Sequence, residues 1–208
     1  MILQQAEGSQ CVWKVGQDAT THRIIIQPTA HLAREGQEVR FQTDAGILVG
    51  TKKGEYGGSL SLTDAKGLPV KRLLAENVIQ LLPVKSGVPV FTGLLHLSAD
   101  KGSVWLYSKG SDRDWSIKKL FDLDGYPRAI YSCNWDILAV AGHGVSRIDQ
   151  ALNLTEIASL PVFHTYPNST SEDVQGRIYI GMNAFVVRLV PTKTGYTHEW
   201  FTRSECLG

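Results

Sequence analysis

The sequence predicts an all-β fold made of five repeats, and three observations carry that reading. A short apolar run ending in glycine occurs five times: Val12-Trp13-Lys14-Val15-Gly16, Ile47-Leu48-Val49-Gly50, Val90-Phe91-Thr92-Gly93, Leu138-Ala139-Val140-Ala141-Gly142 and Ile178-Tyr179-Ile180-Gly181. The glycines lie 34, 43, 49 and 39 residues apart, so the 208 residues divide into five units. After each glycine come further segments of alternating or β-branched residues, the period of two that half-buried strands require.

The units read as follows. Gly16 leads to His22–Gln27, then to Ala30–Glu35, which fits either a short helical turn or an irregular edge strand. After Gly50 come Ser59–Asp64 and Val70–Leu74; after Gly93 come Ser103–Ser108 and Trp115–Phe121. The fourth unit continues with Val145–Asp149 and Leu154–Leu160, the fifth with Phe185–Leu189 and Tyr196–Phe201. A further strand precedes each run at Glu38–Gln42, Asn77–Leu82, Arg128–Tyr131 and Val162–Tyr166, read as an outer strand. The last unit lacks one, and Met1–Gln5, similar to Val78–Leu82, is expected to supply it by pairing into the last unit. Tying the termini together in this way removes an exposed sheet edge.

Units of this length match four-stranded propeller blades, which run to roughly 40 to 50 residues. Gly176–Gly181 followed by Phe185–Leu189 resembles the repeats of β-propeller proteins, and the resemblance extends over nearly the whole chain. It implies one β-propeller domain over 1–208, with five four-stranded blades closed by the N-terminal strand; a four-bladed ring with an irregular N-terminal segment is the other count. The Gly-His and Trp-Asp signatures of the best-known repeat class are missing, and Trp135-Asp136 stands at the start of a run. The resemblance brings no catalytic residue with it. The recurring glycines are read as permitting tight exit turns beside a crowded axis.

Composition excludes several classes. Hydrophobic residues make up 43% and charged residues 20%, enough for a globular core. Lys and Arg number 21 against 20 Asp and Glu, a formal charge of +1, so neither nucleic acid nor an anionic membrane is expected as partner. Cys11, Cys133 and Cys206 form no CxxC pair, so neither a disulfide framework nor a zinc site is indicated. The N-terminus lacks the basic and apolar regions of a signal peptide, and no run reaches the ~20 apolar residues of a membrane span; cytoplasmic residence is the expectation.

Candidate chemistry meets a structural explanation at each point. Asp44, Asp136 and Asp173 stand at the starts of apolar runs and invite comparison with the axial carboxylates of propeller glycosidases, yet Asp is also a favoured turn residue. The six histidines show no HxH or HExxH spacing, so no metal site is expected, and no phosphate-binding glycine motif or nucleophile elbow occurs, so no cofactor or acyl-transfer chemistry is expected. Asn168-Ser169-Thr170 fits the glycosylation pattern but reads as a polar loop. Most strand aromatics, such as Trp105, Trp115 and Trp200, read as core.

One asymmetry remains. The loops on one expected face carry Asp44, Asp64, Asp112, Asp114, Asp136, Asp149, Glu172 and Asp173 against Lys66, Lys85, Lys109, Arg113 and Lys193. An acidic face suits a basic partner, because complementary charge speeds encounter. The expectation is a non-enzymatic monomer that forms a heterodimer with a protein partner of basic surface. By analogy it resembles bacterial immunity proteins, antitoxins that cover the active site of a toxin nuclease. The expected contacts are Asp112, Arg113, Asp114, Trp135, Asp136, Glu172 and Asp173, with Trp135 as an aromatic anchor. The alternative is a glycan-active propeller, lectin or hydrolase, working through Asp44, Asp136 and Asp173.

Overall fold

A computed structural model describes residues 12–29, 38–110, 114–133, 136–160 and 166–202. Its strands form five antiparallel sheets, each from consecutive stretches of chain. The first pairs β1 (Val12–Gln17) with β2 (Ile24–Thr29). The second is β3 (Glu38–Thr43), β4 (Gly46–Lys52), β5 (Gly58–Thr63) and β6 (Pro69–Leu74), with one 3₁₀ turn at Gly54–Tyr56. The third is β7 (Val78–Leu81), β8 (Val88–His96), β9 (Ala99–Lys109) and β10 (Trp115–Leu123). The fourth is β11 (Pro127–Cys133), β12 (Asp136–Ala141), β13 (Gly144–Ile148) and β14 (Leu154–Ser159); the fifth is β15 (Ser169–Glu172), β16 (Ile178–Gly181), β17 (Val186–Thr192) and β18 (Gly195–Phe201).

The chain divides into two compact units, one holding the first and fifth sheets and most of the fourth, the other the second and third sheets with Pro127 and the β13–β14 turn, 149–154. Within each four-stranded sheet, burial follows composition. The apolar runs become second strands covered on both faces, as in β12, where Ile137 through Ala141 are buried. Fourth strands such as β6 and β14 carry Lys71, Arg72, Thr155 and Glu156 and lie mostly exposed. In the first unit, Leu138, Val140, Ile178, Ile180 and Leu189 share one core and Trp13, Val15, Ile26 and Tyr179 another. Leu48, Leu60, Val78, Val90 and Tyr107 form the core of the second unit. Each such side chain contributes roughly 1.5 to 3 kcal/mol.

The five-sheet, all-β reading stands, but strands belong to sheets differently from the expectation. The strand before each apolar run pairs with that run: Val39 lies opposite Gly50, and Ser169 opposite Gly181. The linking turns are short, two residues between β3 and β4, and so close local hairpins. The fifth sheet therefore has four strands of its own, beginning at Ser169. Met1–Gln5, Ala30–Glu35 and most of Val162–Tyr166 lie outside the described residues.

The N-terminal strand does meet the last sheet, through β1. The Trp13 amide donates to the Met182 carbonyl at 3.0 Å, the Val15 amide donates to Ser169 Oγ at 2.8 Å, and Val12 bridges to Asn183.

The glycines ending the apolar runs also have a different cause. Only Gly142 occupies a turn at positive φ (54°). At Gly50, Gly93 and Gly181 an added Cβ would fall 2.5 Å from Val78 Cγ1, 2.8 Å from Pro127 Cδ and 2.4 Å from the Trp13 carbonyl oxygen. At these three glycines another segment of the same unit comes close, a contact that only a residue without a side chain permits. Gly16 meets nothing within 4 Å, and nothing in the structure explains it.

Candidate functional site

In each four-stranded antiparallel sheet the turns between strands one and two and between strands three and four lie at one end, and the turn between two and three lies at the other. The predicted acidic loops are of the first kind, here the turn end. Three of them share one construction. Asp64 Oδ1 accepts from the amides of Lys66 and Leu68 at 2.8 Å each, Asp149 Oδ1 from Ala151 and Asn153 at 2.9 and 2.8 Å, and Asp173 Oδ1 from Gln175 and Arg177 at 2.9 and 3.0 Å. The residue three places after each aspartate has positive φ: Gly67 at 83°, Leu152 at 66° and Gly176 at 73°. These aspartates are demanded by turn chemistry. In one of them, hydrogen bonds led by that of the Asn153 amide hold Asp149 below the usual carboxylate value.

Of the predicted contact residues, Asp112, Arg113 and Trp135 lie outside the described residues. Asp114 is exposed just before β10, its carbonyl accepting from the Gly110 amide at 2.8 Å. Asp136 and Glu172 are brought together by Arg147 on β13, whose Nη2 donates to Glu172 Oε1 at 2.7 Å while Nη1 lies 3.6 Å from Asp136 Oδ2. Glu172 is 13% exposed and Arg147 25%, so this pair is stronger than a surface contact. Tyr131 donates to Gln17 Oε1 at 2.7 Å and Gln17 Nε2 to the Glu172 carbonyl at 3.3 Å, so the cluster ties β1, β11, β13 and β15 together. Asp173 is 8% exposed and paired to Arg177 at 2.6 Å.

The carboxylates suggested for glycan chemistry each face a cation: Asp44 receives Lys109 Nζ at 2.9 Å, Asp136 faces Arg147 and Asp173 faces Arg177. The Lys109 hydrogen bond holds Asp44 below its ordinary value, the reverse of what a general acid needs. Among the described residues no three metal-ligating side chains cluster. Sequence reasoning missed Arg147 and Arg177: the first sits on β13 and the second closes the Asp173 turn just before β16, but both were read as strand residues and left out of the loop charges, yet they neutralise much of what was counted.

The other end of the sheets is built differently. In the second unit β8 and β9 form a long hairpin, with His96 opposite Ala99 next to its apex. At its root lies a cavity of ≈ 570 Å³, lined by Glu55, Glu76, Asn77, Thr92, Lys119 and Asp122 among others. Asn77 fixes the 3₁₀ turn, accepting from the Lys53 amide and donating to the Gly54 carbonyl, both at 2.8 Å. Nothing in the sequence flagged this site, because its residues come from five separate segments.

Comparison with solved structures decides the fold. The chain is similar to the Dos1 propeller, with TM-score 0.51 and 13% identity over 91% of this chain and 54% of that one. The fold is that of a β-propeller. Its five sheets are the blades. Streptogramin B lyase (TM-score 0.47, 16% identity, 80% of this chain and 54% of that) and virginiamycin B lyase from Staphylococcus aureus (0.48, 18%, 79% and 55%) are further neighbours. The chain spans about half the length of these three proteins. No family model and no curated protein matches it. No helix among the described residues is long and apolar enough to cross a membrane.

Proposed function

We propose that this propeller is a non-enzymatic binding protein that docks a basic protein partner with the turn end of its blades, and that it acts as an immunity protein covering the active site of a toxin, such as a nuclease. The propeller fold suits a binding or scaffold role. The observation that carries the reading is the recurrent turn aspartate. Asp64 and Asp149 are locked in place by two backbone amides each, and Asp114 is exposed at the same end of its sheet. Charge that is fixed before encounter steers a partner without an ordering cost. Arg147 and Arg177 remove Asp136, Glu172 and Asp173 from the strongest contacts and leave them as supports for the face.

The test is capture by the tagged chain in its native host, with the partner identified by mass spectrometry. A toxin domain with a basic surface, whose activity the purified chain blocks stoichiometrically, is the expected result. An acidic partner, or a toxin left active in the complex, would overturn it.

A further inference from the structure

The cavity at the root of the β8–β9 hairpin lies at the opposite end of its sheet from the acidic turns and is independent of the reading above. Four carboxylates line it, Glu55, Glu76, Asp100 and Asp122, against two lysines, Lys101 and Lys119. Most of these are committed. Lys119 Nζ lies 2.5 Å from Asp122 Oδ1, Glu55 Oε2 lies 3.0 Å from His96 Nε2, and Asp100 accepts from the Tyr126 amide.

Glu76 differs. Its Oε2 accepts from Thr92 Oγ1 at 2.5 Å and from the Trp105 indole N–H at 3.3 Å, both neutral donors, and among the described residues no cation pairs with it. Thr92 is 1% exposed, so its hydroxyl is held by packing. The result is a half-buried carboxylate, aimed by two neutral donors, at the wall of a cavity; a carboxylate so placed is best matched by a cationic hydrogen-bond donor.

The rim supplies the second observation. Tyr56 and Leu97 are 84% and 93% exposed, Leu95 is partly exposed, and the His96–Glu55 pair ties the two segments that carry them. Leu97 also holds φ at 50°, a conformation that favours glycine or asparagine. Tyr56 and Leu95 adjoin the lining residues Glu55 and Leu94, so these bare apolar side chains stand on the segments that wall the cavity, where they are free to cover a bound ligand. The volume lies within the roughly 300 to 1,000 Å³ of ligand pockets.

We propose that this cavity binds an organic cation, a guanidinium or primary ammonium group on a short apolar stem, with Glu76 as its anionic anchor and Tyr56, Leu95 and Leu97 covering the stem. The group comes either from a free amine or from a basic side chain of a polypeptide. Isothermal titration with the dipeptides Ac-Leu-Arg-NH2 and Ac-Leu-citrulline-NH2, and with agmatine, tests it. The arginine peptide should bind at least tenfold tighter than its neutral citrulline counterpart and shift the Trp105 indole N–H resonance, and Glu76→Gln should weaken it at least tenfold. Should Glu76→Gln fold poorly, Glu55→Gln on the exposed rim should weaken binding several-fold. Agmatine binding as tightly as the peptide assigns the free amine; tighter peptide binding that Leu97→Ser reduces assigns the polypeptide. Equal affinity for the arginine and citrulline peptides, no binding at millimolar concentration, or full affinity in Glu76→Gln overturns the site. None of these outcomes touches the partner capture described above.

Discussion

The two ends of the blades in the second unit use the same chemical group for different purposes. At the turn end, Asp64 is held by its own turn and Asp44 by Lys109 of the third sheet. At the hairpin end, Glu76 is oriented by Thr92 and Trp105 and, among the described residues, has no ion-pair partner. A carboxylate whose partners the fold itself requires is explained by the fold. One that the fold orients through neutral donors at a cavity wall asks for a ligand. The contrast orders the substitutions below by expected effect.

The hairpin should be rigid at its root and dispensable at its tip. Gly102→Ala would place Cβ 2.2 Å from the Gly125 carbonyl oxygen and should cost about 3 kcal/mol in chemical denaturation. Leu97→Ser at the apex should stay within ~0.5 kcal/mol of wild type. A tolerant root or a costly tip would erase that distinction.

Next come the turn aspartates. Asp173→Ala loses the turn hydrogen bonds and strands Arg177, for an expected loss of about 2 kcal/mol, and Asp64→Ala about 1 kcal/mol. Asp64→Asn keeps an acceptor oxygen and should cost less than ~0.5 kcal/mol. Glu76→Gln should leave the melting temperature unchanged while weakening binding of the arginine peptide at least tenfold, which separates the two kinds of carboxylate within one pair of measurements.

The pH dependence follows from the same groups. Asp44, Asp122 and Asp149 are held below the ordinary carboxylate value, first by hydrogen bonds from Lys109, from Lys119 and from the Asn153 amide respectively. Depressed folded-state values mean that their contribution is complete above about pH 4 and is lost as pH falls through the lower folded values. Thermal melts should therefore be flat from neutral pH down to about 4 and decline beneath it, with a shallower decline in Asp149→Asn. A small gain is expected at Leu152, the one non-glycine at the left-handed position of the three matching turns: Leu152→Gly should stabilise by roughly 0.5 kcal/mol in chemical denaturation.

Much of the fold was legible in the sequence because its signals are local. Period-two alternation located most strands, and the spacing of Gly16, Gly50, Gly93, Gly142 and Gly181 counted the sheets, Gly50, Gly93 and Gly181 standing where another segment comes close. The role of those glycines was not legible, since the groups they accommodate, Val78, Pro127 and Trp13, are distant in sequence. Grouping strands into blades failed by one position, because alternation identifies a strand without naming its neighbour. At the candidate site, aspartates in turns stood out and their neutralising partners did not: Arg147 lies 25 residues from Glu172 and reads as an ordinary strand residue. Glu76 was invisible for the same reason, its donors being 16 and 29 residues away.

The central claim is that the turn end docks a basic partner through fixed negative charge. The direct measurement is the association rate of the captured partner, at two ionic strengths, with wild type and with Asp64→Asn, Asp114→Asn and Asp149→Asn combined. The combined variant should associate at least tenfold more slowly at low salt, with a weaker salt dependence and a nearly unchanged melting temperature. An association rate and salt dependence equal to those of wild type would contradict the claim.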